Sequence, residues 1–202
     1  MKRPDWFDHN VSRETLDCLE AYSALLLKWT GHINLIAKST QSDISERHIW
    51  DSAQAYRSAT GKWLDIGSGG GLPGVVVAIL AKQQGDSAAI TMVESDHRKA
   101  AFLRTCAREL DLEFAVIADR VENTAAQTAD IISARALADL DSLLSLSTPH
   151  LASDGVCVFM KGARWREEIQ AALVNWRFSY EARASKTNPE AAILTIRDIE
   201  RV

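Results

Sequence analysis

Five of the chain's ten glycines fall inside Asp65-Ile-Gly67-Ser-Gly69-Gly70-Gly71-Leu72-Pro73-Gly74. An apolar run, KWLDIG (62–67), leads into this cluster, and a stretch with helical pattern (73–84) leaves it. A loop of this kind turns sharply with positive φ and lets a ligand approach the backbone, and side chains would obstruct both. Pro73 suits the first turn of the following helix. The remainder repeats the same alternation. Strands are predicted over 62–67, 88–94, 113–118, 129–134, 155–161, 177–183 and 191–197, and helices over 73–84, 97–110, 121–127, 138–152 and 164–176. Strands alternating with helices imply right-handed crossovers and a mostly parallel sheet covered on both faces. A polar turn with Asn188 and Pro189 makes the last two strands an antiparallel hairpin. The expected fold is Rossmann-like α/β, a mostly parallel seven-stranded sheet with an N-terminal helical extension.

That extension is assigned to residues 1–60 and the core to 61–202, as one structural unit. Leu19, Tyr22, Leu26, Trp29 and Ile33 recur at three- and four-residue steps, with Ser12 as N-cap and Gly31 near the end. A second helix is predicted to open at Asp43, with Glu46 completing a capping box, and to run through HIWDSAQAY.

Composition narrows the partners. Lys+Arg 23 against Asp+Glu 27 gives 23 − 27 = −4, which argues against coating nucleic acid or membranes through bulk charge. A local basic face stays compatible with that balance. Cys18, Cys106 and Cys157 are dispersed and odd in number, so neither a disulfide framework nor a metal site is expected. The start, MKRPDWFDHN, has no apolar core segment of a signal peptide, and no apolar run approaches the ~18 residues of a membrane span. A cytoplasmic monomer is the expectation.

Two ligand classes fit the loop: dinucleotides and S-adenosylmethionine. Asp65 precedes the first glycine, where an anion would repel a pyrophosphate and attract the amino group of a methionine moiety. Glu94 closes the second strand, where a carboxylate can accept hydrogen bonds from both ribose hydroxyls. Acid-x-Gly-x-Gly-x-Gly (Asp65, Gly67, Gly69, Gly71) with an acid after strand two favours S-adenosylmethionine.

With these residues in place, the chain resembles the bacterial small-subunit (16S) ribosomal RNA guanine-N7 methyltransferases, also called glucose-inhibited division protein B. The likeness rests on Asn34-Leu35 after Trp29, Arg47-His48-Ile-x-Asp51-Ser52 and LDIGSGGGLPG. It continues through Arg120-Val121-Glu122, Ser133-Ala-Arg135-Ala and Lys161-Gly162. Asp119 stands where the family usually has serine before Arg120-Val121. The resemblance implies a class I methyltransferase with Gly67 and Leu72 on the cofactor, Val121 and Glu122 flanking its adenine, and Arg135 beside its methionine end.

The chemistry implied is an in-line displacement in which guanine N7 offers an unprotonated lone pair, so alignment replaces a general base. The sequence carries no Asp/Asn-Pro-Pro-aromatic motif and no Pro-Cys, which other acceptor atoms require. Arg135 and Lys161 are the expected orienting cations. RNA contacts are assigned to Arg47, Arg120, Lys161, Arg164 and Arg166, with the helix bearing His97, Arg98, Lys99, Arg104 and Arg108 as a further candidate and Trp165 as a stacking residue. The expected partner is small-subunit ribosomal RNA or the 30S particle. A small-molecule methyltransferase and a non-catalytic cofactor-binding regulator are the alternatives, and the basic residues near the site favour RNA.

Overall fold

The computed structural model describes residues 1–202 and contains seven strands in one sheet, ordered β3-β2-β1-β4-β5-β7-β6. They are β1 (Lys62–Ile66), β2 (Ala89–Val93), β3 (Ala115–Ile117), β4 (Ala129–Arg135), β5 (Leu151–Lys161), β6 (Trp176–Ala184) and β7 (Ala192–Arg201). The first five are parallel, and β7 runs antiparallel to both β5 and β6. All seven predicted strands exist. The order reverses between β1 and β4, so loops leaving those two strands diverge and open a crevice at their carboxyl ends.

Helices cover both faces: α3 (Gly74–Gln84), α4 (His97–Glu109), α5 (Leu140–Ser147) and α6 (Trp165–Ala172), with α1 (Arg13–Thr30) from the N-terminal region. Ser12 caps α1 by accepting from the Thr15 amide, and Gly31 follows its last residue. The α3 segment Gly74–Ala81 is buried throughout, as a helix between sheet and α1 must be. One apolar cluster runs from Phe7, Leu19, Tyr22 and Leu26 through Trp50 and Trp63 to Val158 and Ile193. The N-terminal helix therefore shares its core with the sheet.

Three expectations change. The second helix does not begin with an Asp43 capping box: its π-helical part spans Ser45–Trp50 with no side-chain cap, and a short α2 (Asp51–Ala53) ends it before Tyr56. Residues 121–127 form only a 3-10 turn, Val121–Asn123, because Val121 alone among them is buried and no apolar stripe holds a longer helix. Asp119 braces the start of that turn, its Oδ1 accepting from the Arg120 amide and the Asn123 side chain at 2.6 and 3.0 Å. The helix predicted over 138–152 stops at Ser147 before a 3-10 turn, Thr148–His150, that holds Pro149, and β5 starts at Leu151. Its polar residues Ser153 and Asp154 conceal a strand that pairs with β4 across a register shift. Gly155 permits this, since a Cβ there would stand 2.8 Å from the Ala129 carbonyl oxygen.

Tyr22 joins fold to loop. Its buried hydroxyl donates to the Gly70 carbonyl at 2.5 Å. Tyr22→Phe leaves that carbonyl buried without its donor, so denaturant unfolding should show a loss of about 1–3 kcal/mol. A loss below about 0.3 kcal/mol would mean that water replaces the hydroxyl.

Candidate functional site: two cavities with a common wall

The glycine loop is built over a buried acid. Asp65 is fully buried in β1; the Trp63 indole donates to Ser133 Oγ at 2.9 Å, and Ser133 donates to Asp65 Oδ1 at 2.6 Å. Asp65 Oδ2 faces the Gly74 amide without reaching hydrogen-bond geometry, and a Cβ on Gly74 would stand 2.7 Å from it. Gly67 and Gly69 adopt φ of 62° and 54° at the loop's crest. The expectation that Asp65 meets a ligand directly is corrected here: its carboxylate supports the loop from below and does not face the cavity above.

That cavity, about 470 Å3, is lined by Gly67, Gly69, Leu72, Glu94 and Lys99, with Leu35, Ile36, Ala37 and His48 on the far side. Glu94 is 6 % exposed; its Oε2 accepts from the Gly69 amide at 2.7 Å and its Oε1 from the Asp96 amide at 2.8 Å. Each oxygen retains a lone pair for a hydroxyl donor. Gly71 lies behind the crest, where a Cβ would strike Val75 Cγ2 at 2.4 Å, so its role is to let the loop close on α3. Val121 and Glu122 are not in the cavity wall: Val121 packs in the core under β4 and Glu122 is exposed. The Glu94 amide bonds to the Ile117 carbonyl, so both follow a strand end adjacent to Glu94.

A second cavity, about 460 Å3, lies across Arg135, Ala136 and Leu137, which line both. Its other walls come from Arg47, Asp51, Lys161, Gly162, Arg164 and Asn188. Arg135 does not reach freely into either space. Its guanidinium donates to the Arg47 carbonyl (2.9 Å), the His48 carbonyl (3.3 Å) and Ser52 Oγ (3.0 Å), and pairs with Asp51 at 3.3 Å. The π-helical turn makes this possible, because the Asp51 amide bonds to the Glu46 and His48 carbonyls and skips that of Arg47, which is left to the guanidinium. Lys161 is likewise engaged, 2.6 Å from Glu168 and donating to the Ala138 carbonyl at 2.7 Å. Both cations thus act first on the chain segment between the cavities. That segment is tense: Ala136 has φ 52°, and the Leu137 side chain covers Gly67.

Of the predicted RNA contacts, Arg47 and Arg164 are exposed at the second cavity, while Arg120 and Arg166 lie exposed outside its lining. Arg166 stacks over the Trp165 ring at 4.1 Å. Sequence reasoning missed Thr40, Glu168 and Thr187. Thr187 and Ser185 bond to Asp51 Oδ1, and nothing in the local pattern of that turn announces a partner 134 and 136 residues away.

Strand order, glycine loop and the carboxylate after β2 define a domain of the class I methyltransferase fold. Solved structures of that fold superpose on it. M. jannaschii TYW2 in complex with AdoMet gives a TM-score of 0.59 at 15% identity, over 86% of this chain and 80% of that one. A SAM-dependent methyltransferase from Aquifex aeolicus gives 0.59 at 10%, over 87% and 97%. The family described as rRNA small subunit methyltransferase G matches residues 15–192. Proteins named ribosomal RNA small subunit methyltransferase G are 48% identical in a Ruegeria species, over 96% of this chain and 95% of theirs, and 51% identical in Cereibacter sphaeroides, over 96% and 94%. The chain belongs to this family.

Burial pushes the Asp65 carboxyl up to about 6, against the bond from Ser133. Folded Asp65 therefore keeps a proton that the unfolded chain has released, and its stabilising effect, full below about pH 4, is lost as pH rises toward 6. His48 acts in the opposite sense: burial and then Arg135 lower it to about 4, so its contribution is full above about 6.5 and lost as pH falls. The two slopes oppose each other in one window. Asp65→Asn should remove the first, so the stability difference between wild type and variant changes by on the order of 3 kcal/mol between pH 4 and 6.5. Parallel stability profiles in urea would show that Asp65 titrates normally.

Proposed function

We propose that this protein transfers a methyl group from S-adenosylmethionine to N7 of a guanine in small-subunit ribosomal RNA, free or within the particle assembling on it, in the cytoplasm. The reading rests above all on two cavities that share one thin wall, with glycine backbone and a buried carboxylate in the first and exposed arginines at the second. The residues of the first cavity suit the cofactor. Gly69 has open space where a Cβ would be, with no atom nearer than the Gly67 carbonyl at 3.8 Å, and Glu94 offers two acceptor oxygens to ribose hydroxyls. Leu35, Ile36 and Leu72 add apolar surface. Val121 and Glu122 are proposed for the adenine end, past the tips of β2 and β3.

The cofactor supplies an electrophilic methyl group on a sulfonium. The protein's part is to align and to exclude water. Arg135 and Lys161 fix the separating segment from both ends, and Asp139 caps α5 just beyond it by accepting from the Ser142 amide at 2.8 Å. Guanine N7 carries a lone pair and no proton, so nothing must be deprotonated before attack. The groups nearby agree with this: His48 is neutral with both ring nitrogens engaged, and Lys161 is paired. Arg47 and Arg164 are proposed to hold flanking phosphates, and Arg166 with Trp165 and Arg120 to extend that surface. An open cationic mouth suits RNA better than a small metabolite, whose site is closed and apolar.

Small-subunit RNA from cells lacking the protein, incubated with it and S-adenosylmethionine, should gain a 7-methylguanosine, detected as strand scission after reduction and aniline treatment. Label on another atom, or none, would overturn the reading. Glu94→Ala should weaken cofactor binding by about 1.5–3 kcal/mol in calorimetry. Arg47→Ala with Arg164→Ala should leave that affinity intact and lower the salt dependence of RNA binding by about one unit of slope per phosphate lost.

A further inference from the structure

A directed run of hydrogen bonds leads from the common wall to the far lip of the first cavity. Arg135 Nη2 lies 3.2 Å from His48 Nδ1. A guanidinium only donates, so Nδ1 is bare and the ring's single proton sits on Nε2. Nε2 lies 2.7 Å from Thr40 Oγ1, which therefore accepts, and the Thr40 hydroxyl donates its own hydrogen bond to the Ala37 carbonyl at 2.9 Å. Every donor and acceptor in the run is fixed by the first. The His48–Thr40 contact is also the one side-chain hydrogen bond that ties residues 34–40 to the rest of the chain, and Leu35, Ile36 and Ala37 line the cavity.

We propose that His48 is a positioning residue: accepting from Arg135 at Nδ1 and donating to Thr40 from Nε2, it transmits the fixed placement of Arg135 to the Leu35–Ala37 wall of the first cavity. This rests on the S-adenosylmethionine reading above. His48 packs within reach of Arg135, Arg47 and Asp51; the two arginines oppose a proton on the ring and Asp51 favours one. Protonation would place a donor against the guanidinium and break the run at its start. With the ring held down to about 4, the run is complete across the physiological range.

The test combines a structural and a binding measurement on the full chain. In nitrogen-15 histidine spectra, His48 should be the neutral Nε2-protonated tautomer down to about pH 5. Thr40→Val should weaken S-adenosylmethionine binding about three- to tenfold in calorimetry, with RNA affinity unchanged, and Thr40→Ser should restore it. Combining Thr40→Val with His48→Gln should cost no more than the worse single change, because both cut one run. An Nδ1-protonated ring, wild-type affinity in Thr40→Val, or multiplying losses in the double variant would each overturn the proposal. A wild-type protein that binds no S-adenosylmethionine would overturn the underlying functional reading, a separate result.

Discussion

A buried guanidinium cannot be left with idle donors, and the site is organised around meeting that demand for Arg135. Its five partners come from one short stretch, Arg47 to Ser52, and two of them are main-chain carbonyls. In a regular α-helix the Asp51 amide would have taken the Arg47 carbonyl. The π-helical turn frees it, while the His48 carbonyl is shared with the Asp51 amide, so an irregularity in one element helps anchor the end of β4. Removing the guanidinium would strand several acceptors and the Asp51 charge together.

Beneath the glycine loop a related problem is solved differently. Asp65 and Glu94 bring two carboxyl groups under one loop, and the neighbouring Glu94 adds to the cost of ionising Asp65. Glu94 is satisfied by backbone amides of the loop and of Asp96, one on each oxygen. Asp65 has a single hydroxyl on one oxygen and an incompletely placed amide near the other. The acid with fewer donors is the one whose ionisation burial resists.

Much of this was legible in the sequence. All seven strands, the capped α1 and the terminal hairpin follow from apolar periodicity and turn residues, which are local signals. The glycine loop was legible because it is one local run, and Glu94 because a βαβ unit sets the end of the second strand beside the end of the first. What escaped depended on distant partners. Asp65 reads as a ligand contact because its sequence position adjoins the loop, yet Ser133, contributed by β4, turns it inward. Arg135 reads as a cation orienting substrate because Asp51, on a distant helical turn, pairs with it only in the folded chain, and Lys161 because the sequence does not show the α6 side chain Glu168 turned back onto it. The π-helical turn escaped too: a six-residue apolar-polar pattern does not distinguish it from an ordinary helix.

The wall formed by Arg135, Ala136 and Leu137 is a single layer of chain touched from both sides. Any free energy that one occupant gains by moving it must be returned, with the same sign and size, when the other occupant arrives. With the proposed occupants, donor and acceptor binding would be in that sense one equilibrium read at two places.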